Sequence, residues 1–303
     1  MLAGLTRVVG RLPLDRSLAL AAAFGRSWVR FGGPRTGRVR EALARALPER
    51  SASEHAHLTR EVFVNLAQGF VELLALRGPQ RAALLERVEV VGLEHVHAAE
   101  RATPAGGFLV VTAHLGNWEL ACAKIAALGF PISVVYRGLR SPALDRALFE
   151  LRGRAGTEPG GVPVEQIKMG QAGLPVLRAL AAGRKLIVLL DQNADRKEGV
   201  FVPFFGEPAC TRSGPIVLAA LRGVPIVPAF IRREAGGRRH RLEILPAVEL
   251  EPGAADDPAV VRRNVARVTA VIEQAIRRDP AQWIWLHRRW RTRPRPGDPV
   301  DGA

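Results

Sequence analysis

Within the segment VVTAHLGNWEL, a histidine and a carboxylate stand five residues apart, His114 and Glu119. An imidazole titrates near neutrality, and a carboxylate bonded to one ring nitrogen fixes the tautomer and favours the imidazolium. Together they make a general base. On an unbroken helix a five-residue step turns about 500°, leaving the two side chains about 140° apart. Gly116 and Asn117 interrupt that path, the first by backbone freedom and the second as a natural helix N-cap. With a strand before the break and a helix after it, Glu119 is expected to reach back to His114. The same residues also suit a plainer arrangement, a histidine bonded at a strand end and a first-turn carboxylate favoured by the helix dipole.

A second polar group stands at an apolar run's end: Asp191 closes LIVLLD and is followed by Gln192 and Asn193. In open α/β sheets, ligands gather beyond the carboxyl ends of strands, so both His114 and Asp191 are placed for chemistry. Other catalytic signatures are missing. The chain has no HExxH, G-x-S-x-G, P-loop or Rossmann glycine pattern. The histidines at 55, 57, 95, 97, 240 and 287 form no metal set, and Cys122 and Cys210 lie far apart. Neither a cofactor nor a metal is expected.

The elements that must hold these residues follow from periodicity. Residues 37–46, 58–77, 117–128, 142–153, 171–182, 214–222 and 258–277 carry helical patterns, while FLVVTA, ISVVY, LIVLLD, PIVPAFI and LEIL are strand-like apolar runs. Their alternation predicts an α/β fold, with a mixed, largely parallel central sheet flanked by helices and an N-terminal helical extension. No linker or internal repeat divides residues 36–303, expected to form one α/β domain. Residues 1–35 are apolar but interrupted by charge; their longest uncharged stretch, 17–25, is about half of the ~20 residues that span a membrane. Leu2, Leu5, Val9 and Leu12 form a stripe that fits either a membrane-interface helix or a first helix packed on the domain.

Charge narrows the partners. Lys and Arg total 44 against 29 Asp and Glu, a formal net charge of +15. A surface this basic favours a polyanion, whether nucleic acid, an anionic membrane or a phosphorylated or acidic substrate.

The segment AHLGNWEL, with its H-x4-E form, resembles the bacterial lipid A biosynthesis (late) acyltransferases, within the glycerolipid acyltransferase-like superfamily. The segment DQNADRKEGVFVPFFGEPACTRSGP, the RGR at 152–154 and the closing QWIWLHRRWRTRP agree with that resemblance, in order, over roughly residues 35 to 295. The resemblance implies a glycerolipid-acyltransferase-like fold. It also implies transfer of an acyl chain from an acyl-carrier-protein or coenzyme A thioester to a hydroxyl of a membrane glycolipid. His114, Glu119, Arg154 and Asp191 are then the expected catalytic residues. Arg137, Asn117 and Gln192 are expected at the substrate, with Arg137 and Arg154 suited to phosphate, or Arg137 instead paired structurally with Asp191. Glu119, where relatives acting on mannosylated inositol lipids usually carry Asp, favours a lipid A precursor as acceptor.

Two further segments carry expectations of their own. Phe204 and Phe205 are expected to wall an acyl groove or pack in the core. In the tail, Arg288, Arg289 and the tryptophans are expected at lipid headgroups, with at least one of Trp283 and Trp285, which alternate around Ile284, expected in the core. The same Trp–Arg mixture also suits single-stranded nucleic acid, yet a nucleic-acid module leaves His114 and Asp191 without a role. Nucleic acid is therefore not the expected partner. A non-catalytic lipid-binding module is the remaining alternative. The expected location is the cytoplasmic face of a bacterial inner membrane, held peripherally or monotopically.

Overall fold

The computed structural model describes residues 2–138, 141–171 and 173–300; the side chains of Leu2, Ala3, Leu5, Val8 and Gln171 lie outside the description, and with them half of the expected Leu2–Leu5–Val9–Leu12 stripe. The chain opens with helices α1 (Leu2–Arg11), α2 (Leu14–Arg30), α3 (Thr36–Ala46), α4 (Ala52–Leu76) and α5 (Arg81–Glu86). Helix α4 begins six residues before the expected position 58, because Ser51 and Glu54 form a reciprocal capping box at its N-terminus.

The alternating part follows: β1 (Val88–Val91), α6 (Leu93–Arg101), β2 (Phe108–Thr112), α7 (Trp118–Ala127), β3 (Ile132–Tyr136), α8 (Pro142–Gly153), β4 (Glu165–Lys168), α9 (Gly173–Ala181) and β5 (Lys185–Leu189). A hairpin of β6 (Gly199–Phe204) and β7 (Glu207–Arg212) then precedes α10 (Gly214–Arg222), β8 (Ile226–Arg233), β9 (His240–Ile244) and α11 (Pro258–Arg278). The seven-stranded sheet has the order β1-β9-β8-β2-β5-β3-β4. Every neighbouring pair is parallel except β8 with β9. This is the mixed, largely parallel sheet expected. The short strands β1 and β4 and the β6–β7 hairpin go beyond the expected set.

The sheet buries both faces. On one, Leu109, Val111 and Ala113 pack with α3, α4, α9, α10 and α11 through Leu43, Val62, Val176, Ile216 and Val268. On the other, Phe108, Val110 and Thr112 look towards α6 and α7. Central strands buried on both sides read as continuous apolar runs, which is why FLVVTA and LIVLL carry no polar alternation.

Helix α2 lies against α4. Leu14, Leu18, Ala21, Ala22 and Gly25 are buried on that side. Contact there is so close that a Cβ on Gly25 would sit 2.6 Å from the Phe63 carbonyl oxygen. The opposite side leaves Leu20 62% and Phe24 60% exposed. One side of α2 is thus packed on α4 while the other keeps apolar side chains outward. Among the described residues, no helix is long and apolar enough to cross a membrane.

Candidate active site

Strands β2 and β5 are neighbours in register, with Thr112 opposite Leu189. Continuing both strands by two residues sets His114 beside Asp191. The Asp191 carboxylate is buried and accepts three hydrogen bonds: from His114 Nδ1 at 2.9 Å, from the His114 backbone N–H at 2.9 Å and from Trp283 Nε1 at 2.7 Å. Burial raises the cost of its charge, but the His114 imidazole and these donors outweigh it and hold its pKa at about 2. An ionised Asp191 fixes the Nδ1–H tautomer of His114 and leaves Nε2 with its lone pair. The Gln192 side-chain amide lies 3.2 Å from Nε2, and the Trp118 ring meets the imidazole edge-on with centroids 4.7 Å apart.

Glu119 is not the imidazole's partner. It is the second residue of α7, and its buried carboxylate faces α8, where Arg152 Nε donates to it at 2.9 and 3.2 Å and Nη2 adds a third bond. A buried carboxylate needs a counter-charge, and Arg152 supplies it. Burial works against the Arg152 cation, yet Glu119 more than compensates and raises its pKa above the ordinary value. The expected contact from Glu119 to His114 is thereby replaced by Asp191. The RGR segment also divides differently from the expectation. Arg152 points inward over the Tyr136 ring at 5.4 Å, while Arg154 is exposed at the end of α8. Arg137, just past β3, is exposed and does not pair with Asp191.

Asn117 does cap α7, accepting from the Leu120 N–H at 3.1 Å. It is buried rather than open to a ligand, and its amide donates to Glu72 Oε2 at 3.0 Å. Gly116, at φ +60°, is the turn's tightest point; a Cβ there would sit 2.2 Å from the Ile231 carbonyl oxygen. Only glycine fits that approach.

The closing segment runs alongside this turn. Leu115 bridges Trp283 in antiparallel fashion, Gly116 N–H donates to Gln282 O at 3.0 Å, and Ile284 N–H donates to His114 O at 3.2 Å. Trp283, Trp285 and Trp290 are all buried, and Phe204 and Phe205 sit among them with ring centroids 4.9 to 6.4 Å apart. Phe204 and Phe205 are therefore core, not the walls of an acyl groove. Arg289 is fully buried, donating to Cys210 O at 2.7 Å and to Thr211 Oγ1, with its guanidinium 4.8 Å over the Phe204 ring. Burial lowers its pKa to about 10. It locks the segment to β7 and is not at the headgroup surface. Arg288 is exposed, as expected for a surface cation. With its tryptophans inside, the tail offers no stacking platform for single-stranded nucleic acid. Among the described residues no three His, Cys, Asp or Glu side chains converge as a metal site.

Residues 1–292 match the family model of the bacterial lipid A biosynthesis acyltransferases. The chain belongs to that family. It is 28% identical to the lipid A biosynthesis lauroyltransferase of Escherichia coli K12 over 293 residues, 96% of this chain and 90% of the relative. Against the lipid A biosynthesis palmitoleoyltransferase of the same organism, identity is 28% over 84% of this chain and 80% of the relative. The phosphatidylinositol mannoside acyltransferase of Mycolicibacterium smegmatis is 26% identical over 94% and 88%. This family member is an acyltransferase.

This lipid A acyltransferase family member has two apolar spaces, one of which reaches residues beside the histidine. A narrow cavity of about 60 Å³ lies between the sheet and α7. It runs from Thr112 and Trp118, beside His114, past Val110, Ile125 and Ile187 to Phe130 and Lys185. A wider groove of about 700 Å³ lies between α2 and α4, lined by Leu20, Phe24, Trp28, Leu66, Phe70 and, from the closing segment, Leu286.

Sequence reasoning overlooked Arg152, Trp283 as a hydrogen-bond donor, and Glu72. Glu72 is fully buried on α4 and takes bonds from Asn117, from Arg233 at 2.6 Å and from His240 at 2.8 Å. A lone glutamate in the apolar run GFVELLAL was the available signal, since such a charge has to be paired.

Proposed function

We propose that the protein transfers an acyl chain from an acyl-carrier-protein or coenzyme A thioester to a hydroxyl of a lipid A precursor, with His114 as general base and Asp191 as the carboxylate that orients it. The observation that carries this reading is the His114–Asp191 pair with Nε2 left available. The acceptor hydroxyl would take the place of the Gln192 amide at Nε2. His114 removes its proton as the oxygen attacks the thioester carbonyl. The tetrahedral intermediate then collapses, the C–S bond breaks, and the imidazolium returns the proton to the departing thiolate. No acyl-enzyme is needed. Asp191 stabilises the imidazolium throughout. The start of α7, whose dipole is positive at this end, favours the oxyanion.

Glu119 acts through Arg152, holding α8 against α7 beside the site. Arg137, Arg154 and Arg288 are exposed cations suited to phosphate on the donor's pantetheine arm or on the acceptor lipid. The narrow cavity beneath Trp118 suits the donor's acyl chain. Leu20, Phe24 and Phe70, with Arg16, Arg26 and Arg30 nearby in sequence, suit contact with an anionic membrane at its interface. That arrangement supports a peripheral position on the cytoplasmic face of a bacterial inner membrane. The likeness to a phosphatidylinositol mannoside acyltransferase supports a second acceptor class, mannosylated inositol lipid.

Purified protein incubated with acyl-carrier-protein and coenzyme A thioesters, and with either acceptor, tests the reading directly by mass spectrometry of the lipid. Transfer to a lipid A precursor, abolished by His114→Ala, is expected. Equal transfer by wild type and His114→Ala would remove His114 as the base. Transfer confined to the inositol lipid would replace the acceptor.

A further inference from the structure

Glu72 is remote in sequence from His114, yet its buried carboxylate joins α4 to the turn that follows His114. Its Oε1 accepts from Arg233 Nη1 at 2.6 Å and from His240 Nε2 at 2.8 Å, two residues that face each other across β8 and β9. Its Oε2 accepts from the Asn117 side-chain amide at 3.0 Å. Burial raises the cost of this charge, but His240 and Arg233 outweigh it and hold the pKa at about 2. An ionised Glu72 can accept hydrogen bonds and cannot donate one.

That asymmetry settles which way the Asn117 amide points. One end of an amide accepts and the other donates, so its partners decide between the two orientations. Glu72 takes only the Nδ2 donor, which turns Oδ1 to the Leu120 N–H that it caps at 3.1 Å. A reversed amide would set donor against donor at α7 and acceptor against acceptor at Glu72. The same network also reaches the turn from its other side. Arg233 N–H donates to Gln282 Oε1 at 2.7 Å, Gln282 Nε2 donates back to Arg233 O at 2.8 Å, and Gln282 O accepts the Gly116 N–H at 3.0 Å.

We propose that Glu72 is a positioning residue for acyl transfer: it sets the direction of the Asn117 cap and, through it, the start of α7 against which the oxyanion forms. This inference rests on the reaction proposed above. Glu72 bonds to Asn117, Arg233 and His240, so it acts on the geometry of the turn and not on the protons that move.

A charge-conserving exchange tests the direction of that one hydrogen bond. In Glu72→Gln, Oε1 can still serve Arg233 and His240, but Nε2 then meets the Asn117 amide donor to donor. Asn117→Asp alone sets two carboxylates against each other. Together the two changes reverse the bond: the Gln amide donates, and the Asp carboxylate accepts from it and from the Leu120 N–H. Transfer from acyl-carrier-protein and coenzyme A thioesters to a lipid A precursor is measured for all four proteins, with deuterium uptake of residues 115–123 as a readout that needs no catalysis.

Each single variant should lower kcat by about tenfold to a hundredfold while KM changes little. Uptake across 115–123 should quicken by about fivefold to tenfold as the cap is lost. The double variant should recover most of both, and it keeps the claim testable if Glu72→Gln alone does not fold. A folded Glu72→Gln that loses stability but keeps its kcat would make Glu72 a packing residue and overturn the proposal. A double variant no faster than the single ones, or no better folded, would overturn it too. Uptake that is quickened by each change and restored by both, with no transfer by wild type, would keep Glu72 as the residue that sets the turn and remove the proposed reaction.

Discussion

Asp191 and His114 are joined twice. One carboxylate oxygen takes the imidazole Nδ1–H and the other takes the His114 backbone N–H, both at 2.9 Å. The two-point attachment fixes ring direction as well as tautomer, because the backbone from which the imidazole hangs is tied to the same group. Trp283 Nε1 closes the arrangement at 2.7 Å, so the closing segment of the chain takes part in orienting the base.

Removal of that indole donor is expected to weaken the dyad without dismantling it. Trp283→Phe keeps most of the aromatic packing but leaves Asp191 one bond short, at a cost of about 1 kcal/mol. A fall in kcat of about fivefold to tenfold, with KM little changed, is the expected result in steady-state kinetics. An unchanged kcat would mean that the tryptophan serves packing alone.

Glu119 and Arg152 should behave as a structural pair. Glu119→Gln leaves the Arg152 cation nearly buried without its partner, and a loss of about 3 kcal/mol is expected in denaturant unfolding. Pairing it with Arg152→Met should restore much of that loss. Additive losses in the double variant would contradict the pairing.

How far these groups could be found beforehand depends on how locally each is determined. Apolar runs buried on both faces declared β2 and β5, and their polar ends declared His114 and Asp191. That the two ends meet depends on strand register between segments 77 residues apart, which local pattern does not carry. Glu119 was misassigned because it was near in sequence, while helix α7 turns it towards α8. Arg152 and Arg154 cannot be told apart by spacing, since the end of α8 decides which points inward. The tail misled through composition: Trp283, Trp285, Trp290 and Arg289 resemble an interface set, yet the hairpin β6–β7 and helix α11 cover them.

Acid should destabilise the protein through two buried carboxylates. Asp191 and Glu72 have ordinary pKa values of 3.8 and 4.5, and both are held at about 2 in the folded protein. Burial opposes the Glu72 charge, and His240 and Arg233 outweigh it. Because the folded values are depressed, their stabilisation is fully present above the unfolded values and is lost as pH falls towards about 2. Unfolding midpoints measured between pH 5 and 2 should therefore fall steeply. Glu72→Gln should be less stable at pH 7 and show a shallower fall; a slope equal to wild type would contradict this assignment.

The turn after β2 should tolerate no side chain at its centre. Gly116→Ala meets the Ile231 carbonyl and demands a left-handed backbone. A loss of about 2 kcal/mol or more is expected, along with reduced kcat, because His114 lies two residues away. Thermal unfolding and kinetics on the same preparation would check both.

The outward face of α2 offers a test of membrane contact. Leu20→Glu with Phe24→Glu should leave unfolding unchanged, since both side chains are mostly exposed, but should reduce sedimentation with anionic phospholipid vesicles by tenfold or more. Undiminished vesicle binding would place the contact elsewhere.

The most direct test of the central claim is the comparison of Asp191→Asn with Glu119→Gln in single-turnover acyl transfer, each variant verified as folded. The account predicts a fall of about a hundredfold to ten-thousandfold in the chemical step for Asp191→Asn, where the orienting carboxylate is lost. It predicts a much smaller change for Glu119→Gln, relieved in the double variant with Arg152→Met. Near-wild-type transfer by Asp191→Asn beside a collapse in Glu119→Gln would contradict it and return the orienting role to Glu119.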